Sequence, residues 1–162
     1  MEGLAYYSSP VTDIKITSSE KGITEVLFTN EERLPENPNL LTEQCIQELD
    51  EYFHRGRKFF TVELDLKGTE FQKRVWTELI SIPFGSTVSY EELALRLGDL
   101  KAIRAVAAAN GANPVAIIVP CHRVIGKNGE LTGYAGGLAN KEWLLYHEGS
   151  LLRQLNLFTT PQ

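Results

Sequence analysis

Polar and apolar residues alternate along the first part of the chain, a pattern typical of half-buried strands. Three segments show it, at residues 4–8, 13–17 and 23–28. A polar, proline-containing stretch at residues 30–39 predicts a loop. A helix capped by Thr42 and ended by Gly56 is predicted next, because apolar residues recur there at helical spacing. A further strand is predicted at residues 60–64, so the first part of the chain is expected to mix strands with one helix.

The hydrophobic period changes to that of helices after residue 68. Helices are predicted over residues 69–82, 90–97, 101–110 and 140–147. Pro83 ends the first, and Ser89 with Glu92 forms a capping-box pattern at the start of the second. Gly98 separates the second helix from the third. Two short helices around such a turn are typical of a helix-turn-helix, and equally of an ordinary helical hairpin.

An uninterrupted apolar run occupies residues 115–119 and ends at Pro120. Such a run predicts a strand buried on both faces. Asn128 and Gly129 predict a hairpin-type turn, and a glycine-rich loop is predicted at residues 132–137. The change of character places the domain boundary near residues 67 and 68, which gives an N-terminal domain of residues 1–67 and a C-terminal domain of residues 68–162.

The net charge of the 162-residue chain is −5, which at first argues against a polyanionic partner. The charge is unevenly distributed, however. Residues 1–68 carry 7 basic and 13 acidic side chains, whereas residues 69–127 carry 7 basic and 5 acidic ones. The acidic balance therefore belongs to the first part of the chain, and nucleic acid is not excluded as a partner of the second.

Other features of the composition exclude several classes of protein. No apolar run approaches the ~20 residues of a membrane helix, and the N-terminus lacks the pattern of a signal peptide. Only two cysteines occur, Cys45 and Cys121, and neither is in a CxxC motif. We therefore expect a reduced, cytoplasmic setting without disulfides and without a membrane partner.

Cys121 is the strongest candidate for chemistry because it directly follows the apolar run, at the rim of a core. Its thiolate would be a nucleophile, and His122 and Arg123 could lower the pKa of the thiol. Taken alone, a cysteine–histidine pair is more often a buried structural cysteine. A metal site is disfavoured because His54, His122 and His147 have no ligand spacing relative to a cysteine.

Several motifs in fixed order resemble the O6-alkylguanine-DNA alkyltransferases, also called methylated-DNA–protein-cysteine methyltransferases. The resemblance covers residues 69–149, about half of the chain. It rests on Ser89-Tyr90, Arg104-Ala105-Val106, the segment NPVAIIVPCHRVIG at residues 113–126, YAGGL at 134–138, and KEWLL at 141–145 with Glu148. The family implies an α+β fold. An N-terminal ribonuclease-H-like α/β domain precedes a mostly helical, winged-helix-type domain with a helix-turn-helix.

The resemblance implies that double-stranded DNA containing O6-alkylguanine is the partner, bound by a monomer and approached from the minor groove. Lys101, Arg104 and Ala105 would belong to the recognition helix. Arg104 would replace the extruded base in the stack, and Tyr90 would help to rotate the nucleotide out. Arg123 has two possible roles, either a phosphate contact or membership of a buried ion pair.

The resemblance also implies an irreversible alkyl transfer to Cys121, one turnover per molecule, with no cofactor. His122 would accept the thiol proton through a water molecule, and Glu148 would orient His122. Asn113 would bind near the cysteine, and the Tyr90 phenol would donate to the leaving guanine. The remaining pocket residues would be Val119, Pro120, Tyr134 and Ala135. The alternative is an alkyltransferase-like protein that binds lesions without repairing them, which the presence of Cys121 disfavours.

Three departures from the family pattern affect these expectations. Some members bind zinc in the N-terminal part, but this part of the chain has only Cys45 and His54, so we expect no metal. Ala135 stands where some members have serine, which removes one possible hydrogen bond to the base. Ala116 stands where some have proline, so acceptance of bulky benzylguanine-type compounds is open. Acceptance of O4-alkylthymine is equally open.

Overall fold

The computed structural model describes residues 2–151, which divide into two compact units. The first unit contains the residues up to Thr69 together with Pro114–Ile118. The second contains Glu70–Asn113 and the described residues from Val119 onward. The chain thus leaves the second unit for five residues and returns to it just before Cys121.

A three-stranded antiparallel sheet forms the framework of the first unit, in the order β1-β2-β3. Its strands are β1 (Gly3–Ser8), β2 (Asp13–Ser18) and β3 (Ile23–Thr29). Alternate residues of β2, Ile14 and Ile16, are completely buried, as the period of two requires. The three strands predicted for this region are confirmed.

Helix α1 (Leu40–His54) packs on this sheet through Cys45, Leu49 and Tyr52, all completely buried. Its N-cap is Asn39, whose side chain accepts from the Thr42 backbone N–H at 2.9 Å. Thr42 is therefore the third helical residue, and its hydroxyl accepts from the Asn39 N–H at 2.9 Å. The predicted cap at Thr42 is wrong by three residues. Thr42 occupies the third helical position of the capping box, which serine, threonine or asparagine begins at the N-cap, here Asn39. No helix within residues 2–151 is long and apolar enough to cross a bilayer.

The strand predicted at residues 60–64 is wrong. Only Leu64 pairs with the sheet, through an isolated bridge to Ile23. The backbone N–H groups of Thr61 and Val62 instead donate to the buried carboxylate of Glu48, at 2.8 and 3.2 Å. A side chain of α1 therefore satisfies donors that a neighbouring strand would otherwise bind.

The strand predicted at residues 115–119 is also wrong, although the whole run is buried. Val115 makes a single parallel bridge to Val26, and the chain then turns. The Ile118 N–H donates to the Ala116 carbonyl at 2.8 Å, and Ile117 lies at a φ of 71°. A β-branched residue strongly disfavours this left-handed region, so local strain accompanies the turn that leads into Cys121. Burial alone cannot distinguish a buried turn from a buried strand.

Helices dominate the second unit, as predicted. They are α2 (Glu70–Ile80), α3 (Tyr90–Arg96), α4 (Ile103–Gly111) and α5 (Leu138–His147), with 3-10 turns at Leu100–Ala102 and Cys121–Arg123. The completely buried indole of Trp76 on α2 donates to the Ala109 carbonyl of α4 at 2.9 Å. The predicted helices are confirmed, and their ends differ by a few residues.

Helices α3 and α4 form the predicted pair of short helices. Ser89 caps α3 as predicted, since its hydroxyl accepts from the Glu92 backbone N–H at 3.0 Å. The Glu92 side chain accepts from Arg96 rather than closing the capping box. Gly98 takes a φ of 93° in the connection, and Asp99 caps the 3-10 turn that precedes α4. Glycine accommodates that backbone conformation without steric cost.

We expect Asn39→Ala to lower the free energy of unfolding by about 1–2 kcal/mol, the usual cost of losing an N-cap. The asparagine both caps α1 and donates to Ser18 of β2 at 2.7 Å. Urea denaturation measures the effect. Asn128→Ala, in an exposed turn, is the matched control and should change stability by less than about 0.5 kcal/mol. Equal stability of the two variants would contradict the capping role.

Candidate active site

A two-residue parallel pair organises the candidate site in the second unit. Strand β4 (Val88–Ser89) pairs with β5 (Val124–Ile125). Helix α3 begins at Tyr90, directly after β4, and β5 directly follows the 3-10 turn Cys121–Arg123, here called the Cys121 turn. The pairing therefore joins the segment that contains Tyr90 to the segment that contains the Cys121 turn, although 30 residues separate the two in sequence. Because the strands are parallel, Tyr90 follows the end of β4 and the turn precedes the start of β5.

Cys121 is buried, with 6% of its surface exposed. Burial raises the pKa of its thiol, while a hydrogen bond from Asn113 and the charge of Lys141 act to lower it. The Asn113 amide also donates to the Val119 carbonyl at 2.7 Å, which fixes the segment entering the turn. The net direction is upward, so the group is a thiol at neutral pH. It needs a base to become a nucleophile.

His122 is completely buried, and its Nε2 lies 2.8 Å from Oε2 of Glu148. Burial lowers the pKa of His122, and the attraction of Glu148 only partly opposes this. A neutral ring that donates from Nε2 to a carboxylate carries its lone pair on Nδ1. Nδ1 is buried and has no hydrogen-bond partner within residues 2–151. The geometry thus leaves a proton acceptor on the residue next to Cys121.

Arg123 binds the same carboxylate. Its Nε donates to Oε1 of Glu148 at 2.8 Å and its Nη2 to Oε2 at 3.0 Å, while Nη1 donates to the Ile82 carbonyl at 2.6 Å. Burial would raise the pKa of Glu148, but His122 and Arg123 hold it well below its usual range. Only 5% of Arg123 is exposed. Of its two possible roles, the structure therefore matches the buried ion pair and not the phosphate contact.

Lys141 on α5 is a further site residue, to which the sequence pattern gave no role. It is completely buried, and its Nζ donates to the carbonyls of Val124 at 2.7 Å and Thr132 at 2.8 Å. Burial lowers its pKa to about 8. The sequence did contain an indication of this role. Lys141 precedes Leu144 by three residues and so lies on the apolar face of α5, where lysine is unexpected.

Tyr90 shares these contacts. Its hydroxyl donates to the Thr132 carbonyl at 3.1 Å, and Nζ of Lys141 lies 5.9 Å from the centre of its ring. Asn110, at the end of α4, is also buried and was likewise missed. Its amide nitrogen donates to the Cys121 carbonyl at 3.5 Å, and its proximity acts to lower the pKa of the Tyr90 phenol, which burial raises. Tyr90 is thus in contact with the loop that contains Thr132 and with Lys141 of α5.

The remaining pocket residues flank the Cys121 turn. Val119 and Pro120 are buried directly before it. Tyr134 is half-buried on the loop whose Thr132 carbonyl binds Lys141, and burial raises the pKa of its phenol, with the charges of Cys121 and Glu148 acting in the same direction. Ala135 is exposed on that loop.

The predicted recognition residues occupy the other end of the α4 region. Lys101, Arg104 and Ala105 are all exposed. No hydrogen bond or ion pair of the Arg104 side chain is found in the described part of the chain. Arg104 and Asn110 are six residues apart on α4, a rise of about 9 Å along the helix axis. One helix therefore carries an exposed cation at its start and a site residue near its end.

Within residues 2–151, no three His, Cys, Asp or Glu side chains form a group that could hold a metal ion. The polar side chains of the site instead form hydrogen bonds and ion pairs with one another and with the backbone. The arrangement can supply a thiol, a neutral imidazole, a fixed carboxylate and a phenol, which are the parts of a nucleophile with its general base.

Two family models match the chain, and together they cover most of it. Residues 4–66 match the ribonuclease-like domain of 6-O-methylguanine DNA methyltransferase, and residues 70–150 match its DNA binding domain. The predicted fold class, a ribonuclease-like domain followed by a mostly helical DNA-binding domain, is confirmed.

Relatives and solved structures agree with the family models. A methylated-DNA–protein-cysteine methyltransferase of Methanosarcina acetivorans is 47% identical over 90% of this chain and 97% of its own length. One of Salmonella typhimurium is 61% identical over 57% of this chain and 54% of its own length. The O6-methylguanine methyltransferase of Mycobacterium tuberculosis matches with a TM-score of 0.83 and 41% identity over 93% of this chain and 94% of its own. Its structure in complex with DNA matches with a TM-score of 0.81 and 43% identity, over 90% and 91%.

We expect Lys141→Met to lower the free energy of unfolding by about 2–3 kcal/mol, because two carbonyls lose a shared buried donor. Urea denaturation measures this. Lys127→Met is the matched control, since that side chain is 76% exposed and should contribute less than about 0.5 kcal/mol. Indistinguishable denaturation midpoints for the two variants would show that the contacts of Lys141 are unimportant for stability.

Proposed function

Because this chain belongs to the 6-O-methylguanine DNA methyltransferase family, we propose that it repairs DNA by direct reversal. It transfers a methyl or larger alkyl group from O6 of guanine to Cys121, once per molecule. The observation that carries the proposal is the buried Cys121 beside a neutral His122 held by Glu148. A lesion-binding protein without transfer activity would not need this arrangement.

Duplex DNA is bound through α3 and α4. Lys101, just before α4, and Arg104, at its start, are exposed. The Arg104 guanidinium has no partner among residues 2–151, so it is available to enter the base stack. Tyr90 crowds the target nucleotide and favours its rotation out of the helix. Extrusion costs a few kcal/mol, least for a weakened base pair, which favours lesions over normal guanine. Ala105, small and exposed, allows close approach of α4 to the groove.

The transfer step is a displacement at the alkyl carbon. Nδ1 of His122 accepts the thiol proton of Cys121 by way of a water molecule, and Glu148 fixes the ring through Nε2. The sulfur forms a bond to the alkyl carbon while the carbon–O6 bond breaks, and guanine leaves with the electron pair. The Tyr90 phenol, whose pKa burial raises, donates a hydrogen bond to the departing base. The guanine anion takes up a proton from water and the His122 imidazolium returns the thiol proton to water, which restores the neutral ring. The thioether on Cys121 is stable.

The extruded base occupies the space between Tyr90, Val119, Pro120 and Tyr134. Asn113 fixes the position of Val119 and of the Cys121 thiol through its hydrogen bonds. Ala135 contributes no hydroxyl, so the base loses one hydrogen bond that a serine would supply. The reaction needs no cofactor and a single chain carries all of these groups, so the protein acts as a monomer.

We expect incubation with duplex DNA containing O6-methylguanine to add about 14 Da to each molecule and then stop, as covalent transfer requires. Intact-mass spectrometry measures this. Cys121→Ser should bind the DNA but gain no mass, whereas Cys45→Ser, at the other buried cysteine, should gain mass like the wild type. Lesion binding by an unmodified wild type would instead favour the lesion-binding alternative. A product that accumulates beyond one per molecule would indicate a hydrolase.

We expect Arg104→Ala to slow repair of duplex DNA at least about tenfold while slowing the reaction with free O6-methylguanine less than about twofold. The side chain acts on base extrusion and not on the transfer itself. Single-turnover rates on both substrates measure the split. Arg55→Ala, an exposed charge in the first unit, is the control and should alter neither rate. Equal losses on both substrates would contradict the role of Arg104 in extrusion.

A further inference from the structure

Arg123 follows the nucleophile and the base directly in sequence but has no part in the transfer step described above. Its guanidinium is bound on three sides, by the two oxygens of Glu148 and by the Ile82 carbonyl. Phe84 lies beneath it, with 5.9 Å between the guanidinium carbon and the ring centre. Arg123 is thus buried and held by hydrogen bonds from all three guanidinium nitrogens.

In the described part of the chain, His122 and Arg123 both bind the carboxylate of Glu148. Oε2 receives both His122 and Nη2 of Arg123, at 2.8 and 3.0 Å, while Oε1 receives Nε of Arg123. A buried carboxylate that faced the imidazole without a second cation would draw a proton onto the ring, since opposite charges stabilise each other in a poorly solvated site. An imidazolium cannot accept the proton of Cys121.

We propose that Arg123 is a positioning residue for the alkyl transfer, because it shares the Glu148 carboxylate with His122 and so keeps the imidazole neutral and able to accept a proton. The inference rests on the proposed function. Glu148 thereby orients the ring without protonating it, and the arginine supplies the fixed positive charge that a buried carboxylate requires. The bidentate geometry suits arginine and not lysine.

The other charged and titratable groups around His122 favour the same state. Lys141 is buried nearby and its charge acts against protonation of the ring, as the charge of Arg123 does. Cys121 is adjacent in sequence, and Tyr134 is close enough to Glu148 that the carboxylate, together with burial, raises the pKa of its phenol. Both are neutral at neutral pH, since burial raises the pKa of each. Glu148 is thus the group that favours the imidazolium, and Arg123 is the group bound directly to it.

The test compares Arg123→Gln with the wild type by two measurements. Glutamine can still donate a hydrogen bond but carries no charge. NMR titration of labelled histidine, with His122 assigned by its absence in His122→Ala, should place the pKa of wild-type His122 below the ordinary 6.5. In Arg123→Gln it should rise by at least about one unit. The rate of methyl transfer at neutral pH should then fall about tenfold and recover as the pH increases, because the ring regains its lone pair.

Two control variants separate this effect from others. In His122→Ala the thiolate forms only by ionisation of the thiol itself, so its transfer rate rises only at high pH. The transfer rate of Arg123→Gln must recover at a lower pH than that rise. Arg123→Lys restores the charge without the bidentate geometry, so it should restore most of the rate at neutral pH and shift the His122 titration less. Thermal unfolding of each variant reports whether it folds.

Several outcomes would overturn the inference. One is a uniform loss of rate at every pH with an unshifted His122 titration, which indicates a purely structural arginine. Another is a wild-type His122 whose pKa lies above 6.5. That result would overturn the inference even if Arg123→Gln does not fold. Failure of the proposed function is a different result, because the wild type would then gain no mass from methylated DNA whatever the titration of His122.

Discussion

The second unit depends on how one buried carboxylate is neutralised. Glu148 lies at the C-terminal end of α5, where the helix dipole opposes a negative charge, and 2% of it is exposed. Such a group is stable only when charged hydrogen bonds replace water. His122 and Arg123 supply them, and Arg123 also binds the Ile82 carbonyl just beyond α2. Neutralising Glu148 therefore fixes the Cys121 turn to both α5 and the end of α2.

Burial also sets the protonation states of the residues around Glu148. It raises the pKa of the Cys121 thiol and lowers that of His122, so both are neutral until the proton is transferred. Lys141 brings a second positive charge close to the sulfur, which favours the developing thiolate. Because little water screens these groups, each fixed charge acts more strongly than it would at the surface. In the proposed reaction, the positions of these charges therefore influence the transfer step even where the groups do not contact substrate.

The residues proposed to bind DNA lie in a different part of the same unit. In the proposed function, exposed Lys101 just before α4 and exposed Arg104 at its start contact the DNA, whereas buried Asn110 near the end of α4 lies beside the Cys121 turn. Under this proposal, α4 links the end that acts on base extrusion to the end that lies beside the nucleophile. The acidic balance of the whole chain is no obstacle, since the acidic excess belongs to residues 1–68 and only a few positive groups need to meet the phosphates.

The sequence by itself determined the local elements and the order of the motifs, because caps, turns and hydrophobic periods are encoded by neighbouring residues. The nucleophile and its base could be proposed for the same reason, since they are consecutive. Residues 60–64 and 115–119 were mistaken for strands because burial and composition are alike in buried strands and buried turns. The roles of Arg123 and Lys141 were decided only by the tertiary structure. Arg123 meets Glu148 across 25 residues, and Lys141 binds backbone carbonyls, which leave no trace in a side-chain pattern.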